Sequence, residues 1–159
     1  MSTVLIADDE FDHRELMTLV LHRLGYDVVT AGDSGAALEL LTAGGIDALL
    51  TDVRMPGVSG IELCRIVRNS PAIAATPVMV ISADVHRHHI MTALHAGADD
   101  FLPKPFSRVQ LGTRLEALLG IRAGKAARSA TAARAALLAA RQALVLEQKP
   151  ERPPFRRTA

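Results

Sequence analysis

Five polar positions sit at the ends of short apolar runs, and three of them are carboxylates. Asp8 and Asp9 follow "TVLIA", Asp52 closes "DALLTD", Ser82 closes "PVMVIS" and Lys104 follows "DDFLP". Carboxylates about 5 Å apart repel by roughly 3 kcal/mol per pair at an effective dielectric of about 20. Three in one place are tolerable only with a cation among their oxygens. Hard oxygen ligands, with no cysteine or histidine counted among them, suit Mg²⁺, which keeps its waters and favours phosphate partners.

Taken singly, each residue has a plainer role. Asp8 and Asp9 can cap a helix, Asp52 can open a turn before "RMPG", Ser82 can cap, and Lys104 can be a solvated loop charge. What separates the set from these roles is a fold that brings all five together. The runs 3–7, 27–31, 47–52, 77–82 and 99–103 have the length and β-branched content of buried strands. Between them lie segments of helical spacing. Residues 10–24 carry a stripe of Leu16, Val20 and Leu24, filled by Leu19, and 58–69 carry Ile61, Cys64, Ile66 and Val67. Segments 34–43, 86–95 and 107–119 follow suit, the last through Val109, Leu111, Leu115 and Leu118. Asp33 or Ser34 is placed to cap the second helix and Ser59 the third. Strands alternating with crossover helices give a doubly wound α/β parallel sheet. All strand ends then share one edge, where such sheets bind ligands at the switch in strand order.

The chain has 159 residues, enough for one domain and an appendage. Its single cysteine, Cys64, excludes an internal disulfide and fits a reducing compartment. No apolar run approaches the roughly 18 residues of a membrane span, so no membrane partner is expected, and a cytoplasmic location is. The near-zero net charge conceals an asymmetry. Residues 1–119 hold 9 Lys/Arg against 15 Asp/Glu, a net of −6, whereas 120–159 hold 9 against 2, a net of +7. The spacing predicts an Ala-rich basic helix over 120–148, with a heptad seam through Ala126, Ala130, Ala133, Leu137, Ala140 and Leu144. The Pro/Arg-rich stretch 149–159 is expected to be disordered.

The set "ADDE", "LLTDVRMPGVSG", "VISA" and "AGADDFLPKPF" resembles the receiver domain of two-component response regulators over about residues 3–119. The resemblance implies a flavodoxin-like (βα)₅ sheet in strand order 2-1-3-4-5, followed by a C-terminal helical extension. It implies Asp52 as phosphoacceptor, with Asp9, Asp52 and the Arg54 backbone carbonyl as Mg²⁺ ligands and Asp8 in the outer shell. It further implies Ser82 and Phe101 as switch residues, Lys104 as the phosphate-binding lysine, and a cis Lys104–Pro105 peptide. Arg54 and Asp84 fall two residues after the phosphoacceptor and the switch hydroxyl, places that tune phosphate lifetime in the family. A pairing of the two across the site mouth is expected to slow loss of phosphate.

The implied partners are a sensor histidine kinase or histidine phosphotransfer protein and a downstream protein target. Homodimers are possible through the face of the fourth helix, fifth strand and fifth helix, or through the tail seam. Forty Ala/Arg/Pro residues do not build a helix-turn-helix domain, so nucleic acid is a disfavoured partner. The alternative is non-specific phosphate contact by the basic tail. The domain is expected to catalyse only its own phosphorylation and dephosphorylation. An independent phosphatase of the dehalogenase-like kind needs a second aspartate where Arg54 stands. His86, His88, His89 and His95 read as exposed helix-start residues rather than metal ligands, and Cys64 as core.

Overall fold

The computed structural model describes residues 1–121. The expected helix 120–148 and tail 149–159 therefore lie almost wholly outside the described residues. Ten elements alternate along the chain: β1 (Thr3–Ala7), α1 (Phe11–Arg23), β2 (Asp27–Ala31), α2 (Ser34–Ala43), β3 (Ala48–Asp52), α3 (Gly60–Asn69), β4 (Val78–Ser82), α4 (Arg87–His95), β5 (Asp100–Pro103) and α5 (Arg108–Leu119). All pairings are parallel, in the order β2-β1-β3-β4-β5. The order reverses between β1 and β3, and that is where Asp8, Asp9 and Asp52 emerge.

The three inner strands are buried on both faces, which accounts for their consecutive apolar residues over 4–7, 48–50 and 78–81. Alternate side chains feed two cores. Leu5, Leu49, Val78, Val80 and Phe101 meet α2, α3 and α4 on one face. Val4, Ile6, Leu50, Met79, Ile81 and Leu102 meet α1 and α5 on the other. Each fully buried aliphatic side chain contributes about 1.5–3 kcal/mol.

Helix starts are fixed by the expected chemistry. Asp33 accepts the Ala36 N–H at 2.8 Å and Ser59 accepts the Glu62 N–H at 3.2 Å. Ser107 and Gln110 form a reciprocal capping box on α5. Ser34 is not the cap of α2; its hydroxyl donates to the Val58 carbonyl at 2.8 Å and ties α2 to the loop before α3. The Lys104–Pro105 peptide is cis, as the resemblance implies.

Two helix faces differ from the expected stripes. In α1 the buried residues are Met17 and Leu21, while Leu16 is 58 % exposed and Leu19 is also exposed. Val20 and Leu24 of the expected stripe pack partly buried against the same core, so the core face is turned toward Met17 and Leu21 rather than centred on Leu16 and Leu19. In α5, Leu111, Leu115 and Leu118 are buried as expected, but Val109 is 73 % exposed.

Two buried ion pairs anchor the start of β5. Arg68 from α3 donates to Asp99 at 2.8 Å, and Arg114 from α5 donates to Asp100 at 2.6 Å. Burial pushes the Asp100 carboxyl above its ordinary value, against the opposing charge of Arg114.

Candidate functional site

At the C-terminal edge of the sheet lies a cleft of about 640 Å³, lined by Asp9, Asp52, Arg54, Ser82, Lys104 and, from the α4 side, Asp84 and His86. The strand ends deliver these groups. Asp52 is the last residue of β3 and Ser82 the last of β4. Lys104 follows β5, and its N–H donates to the Ser82 carbonyl at 2.9 Å, which fixes the two strand ends relative to each other. Asp52 is further held by the start of α3. The Gly60 N–H donates to the Val53 carbonyl at 2.9 Å, and a Cβ on Gly60 would stand 1.8 Å from the Asp52 carbonyl oxygen. Only glycine permits this approach.

The Lys104 ammonium donates to Asp52 Oδ2 at 2.9 Å, while Asp52 Oδ1 accepts the Arg54 N–H at 3.2 Å. Both side chains of the ion pair are partly exposed to the cleft. Asp8 is buried behind them. Its Oδ1 accepts the Glu10 N–H at 2.9 Å, its Oδ2 meets His13 Nδ1, and its carbonyl accepts from Arg14 Nη1 at 2.6 Å. Ligand atoms of Asp8, His13 and Asp52 all lie within 4.8 Å of one another.

His13 joins the acids although the residue pattern of the sequence counts no histidine among them. The available signal was its place in the first turn of α1, five residues after Asp8. Asp8 and Asp52 belong to the cluster, whereas Asp9 is exposed and faces the cleft. The two carboxylates of that cluster, Asp8 and Asp52, are hard oxygen donors of the kind that suits a divalent cation such as Mg²⁺. The one imidazole is already engaged with Asp8.

Ser82 is buried, and its Oγ accepts the Asp84 N–H at 3.1 Å. Phe101 is 1 % exposed and already sits in the core between β5 and α4. The expected Arg54–Asp84 pair is not formed among the described residues. Asp84 Oδ1 instead accepts the His86 N–H at 3.2 Å, and Oδ2 lies 3.3 Å from His89 Nε2. The cause is local: Asp84 stands at the start of α4, where backbone and imidazole donors are nearer than a side chain across the cleft. The His88 and His89 rings lie tilted at 42° with centroids 3.9 Å apart, and among the described residues neither the α4 histidines nor the capping His86 converge on a metal cluster.

The fold and site define a five-stranded doubly wound domain with acids at its switch point, a serine at the end of β4 and a lysine after β5. Residues 4–116 match the response regulator receiver domain family, and the chain belongs to that family. It is 33 % identical over 116 residues to the DNA-binding response regulator MtrA of Mycobacterium tuberculosis, a match covering 73 % of this chain and 50 % of MtrA. The chain thus spans about half the length of the curated relatives it matches.

Among solved structures, it resembles the Francisella response regulator 1452 receiver domain. That match has a TM-score of 0.71 and 32 % identity, covering 76 % of this chain and 98 % of the other. It also resembles the receiver domain of the sensor histidine kinase PA1611 from Pseudomonas aeruginosa PAO1, with a TM-score of 0.70 and 27 % identity, covering 75 % and 98 %. That structure is described with a magnesium ion coordinated in its active site cleft. No helix among the described residues is long and apolar enough to cross a membrane.

Proposed function

We propose that the chain accepts a phosphoryl group on Asp52 from a phosphohistidine of a sensor kinase or histidine phosphotransfer protein. The observation that carries this reading is the Lys104–Asp52 contact of 2.9 Å, made in an open cleft beside the acid cluster. A carboxylate oxygen of Asp52 bonds to phosphorus as the N–P bond breaks. The electron pair stays on the imidazole nitrogen, which takes up a proton, and the product is an acyl phosphate.

Lys104 is placed to exchange its contact with Asp52 for one with a phosphoryl oxygen, which is positioning and charge stabilisation rather than covalent work. Asp9, Asp52 and the Arg54 carbonyl would hold Mg²⁺, with Asp8 in its outer shell and His13 orienting Asp8. When bound, the ion supplies positive charge against the incoming phosphoryl oxygens.

The switch assigned to Ser82 and Phe101 starts from the contacts described above. Ser82 Oγ accepts the Asp84 N–H, which leaves its O–H free to donate to a phosphoryl oxygen, and movement of Ser82 toward that oxygen opens space against which the buried Phe101 ring can repack. The surface altered is that of α4, β5 and α5, a bistable element biased by local charge. Arg54 and Asp84 flank the route of attacking water and tune the lifetime of the acyl phosphate. Output by protein–protein contact is the reading favoured by the composition of 120–159, which carries no base-reading motif. Contact with nucleic acid through that basic stretch is the second reading, supported by its +7 charge and by the DNA-binding relative MtrA. A salt-dependent mobility shift with duplex DNA separates the two.

The experiment is acetyl phosphate treatment in Mg²⁺, followed by intact-mass measurement of the parent and of Asp52→Asn. One acid-labile phosphoryl adduct on the parent and none on the variant is the expected result. An adduct that persists on Asp52→Asn overturns the assignment.

A further inference from the structure

Behind the Lys104–Asp52 ion pair, two kinds of metal donor come together. One oxygen each of Asp8 and Asp52 and one ring nitrogen of His13 lie within 4.8 Å of one another. Donors about 2.1 Å from a shared ion stand no more than about 4.2 Å apart, so small side-chain adjustments bring all three onto one ion. Asp8 is held in place: it is 2 % exposed, its Oδ1 accepts the Glu10 N–H at 2.9 Å and its carbonyl accepts from Arg14 Nη1. Asp52 closes β3 and is fixed by its contacts with Lys104 and the Arg54 N–H. His13 stands in the first turn of α1 with its side chain 21 % exposed. Its Nδ1 meets Asp8 Oδ2, which sets the ring orientation and leaves Nε2 as a further donor atom. Asp9, by contrast, is exposed and outside the group.

We propose that His13 coordinates the divalent ion directly and that the site therefore favours borderline transition ions, Mn²⁺ and Co²⁺ among them, over Mg²⁺. The inference rests on the cleft being the cation site of phosphoryl transfer, and it adds a nitrogen donor to that site. Mg²⁺ binds oxygen and keeps its waters, so it gains little from an imidazole. Transition ions gain a strong bond from one, and the gain grows from Mn²⁺ to Co²⁺. Charge points the same way. Asp8 and Asp52 together balance a divalent ion, and a neutral imidazole adds a third bond without adding to the repulsion between carboxylates. The donor set is also specific to this corner. Among the described residues, no other group of three histidine, cysteine or carboxylate side chains converges in this way.

The test loads the full chain with Mn²⁺ and records electron spin-echo modulation by nitrogen, with calorimetric affinities for Co²⁺ and Mg²⁺ measured alongside. His13→Gln keeps a polar group beside Asp8 and removes the imidazole. His86→Gln removes the imidazole that lines the cleft from the α4 side. Nitrogen modulation of a coordinated imidazole is expected in the parent and in His86→Gln, and not in His13→Gln. The ratio of Co²⁺ to Mg²⁺ affinity is expected to fall about tenfold in His13→Gln. A parent spectrum without imidazole nitrogen overturns the proposal on its own, whether or not a variant folds. So does modulation that survives His13→Gln, which puts the ion on another histidine. Equal losses of Co²⁺ and Mg²⁺ affinity overturn it too, because they reduce His13 to a group that orients Asp8. The underlying reading fails differently: Mn²⁺ affinity unchanged by Asp52→Asn would take the ion out of the cleft altogether, and this inference with it.

Discussion

The Arg68 side chain fills the space that a side chain on Gly97 would need. A Cβ on Gly97 would stand 2.6 Å from Arg68 Cγ, and Arg68 Nε donates to the Gly97 carbonyl at 2.9 Å. The same guanidinium reaches the carbonyls of Ala74 and Thr76 at 2.9 and 2.6 Å, and Asp99 at 2.8 Å. One arginine from α3 thereby locks the segments that lead into β4 and β5.

Gly97→Ala tests this lock. Gly97 has φ +106°, which L side chains rarely adopt, and the new methyl meets the flexible but tightly bonded Arg68 chain. The backbone alone costs about 1–3 kcal/mol. A lower urea midpoint at constant slope is expected. An unchanged midpoint would show that Arg68 yields at no cost.

Asp100 gives a stability term with a defined direction. Its folded-state carboxyl is raised above the ordinary 3.8, chiefly by burial, with Arg114 opposing. Its protonated form is therefore favoured by folding. The associated stability is fully present below 3.8 and is lost as pH rises through the folded value. The stability of the parent relative to Asp100→Asn should thus fall with rising pH in that window. Arg114→Ala removes the opposing charge, so the fall should extend to higher pH. It also leaves a buried carboxylate unpaired, at a cost of about 3 kcal/mol near neutrality. Urea titrations from acid to neutral pH check both statements, and parallel profiles for parent and Asp100→Asn would contradict them.

Lys104→Ala separates folding from function. The Lys104–Asp52 pair is partly solvated, so its loss should change stability by no more than about 1 kcal/mol. Labelling by acetyl phosphate should slow on the order of 10²-fold, the scale for removing one charge-stabilising donor. Labelling at the parental rate would remove Lys104 from the site.

The architecture was legible because its signals were redundant. Each inner strand carries an apolar run of three or four residues, and the breakers fall between elements, so the strand boundaries agree to within a residue. The convergence of Asp52, Ser82 and Lys104 followed from the sheet, since strand ends share an edge whatever the details of packing. What stayed hidden depended on side-chain direction. Leucine spacing alone did not tell which of two adjacent rows of α1 faces the sheet, because Met17 completes the buried row and Leu16 lies one residue earlier. His13 joins the acids through a helical turn, and Asp84 prefers its own helix start to Arg54. Both are short-range competitions that a pattern of residue types does not rank.

The sheet's two rims carry a consequence for solubility. β5 is four residues long and ends in Pro103, which has no N–H to offer, and β2 starts with the exposed charge of Asp27. Neither rim is a good template for an incoming strand, so this domain is guarded against growing into intermolecular β-structure even at high cellular abundance.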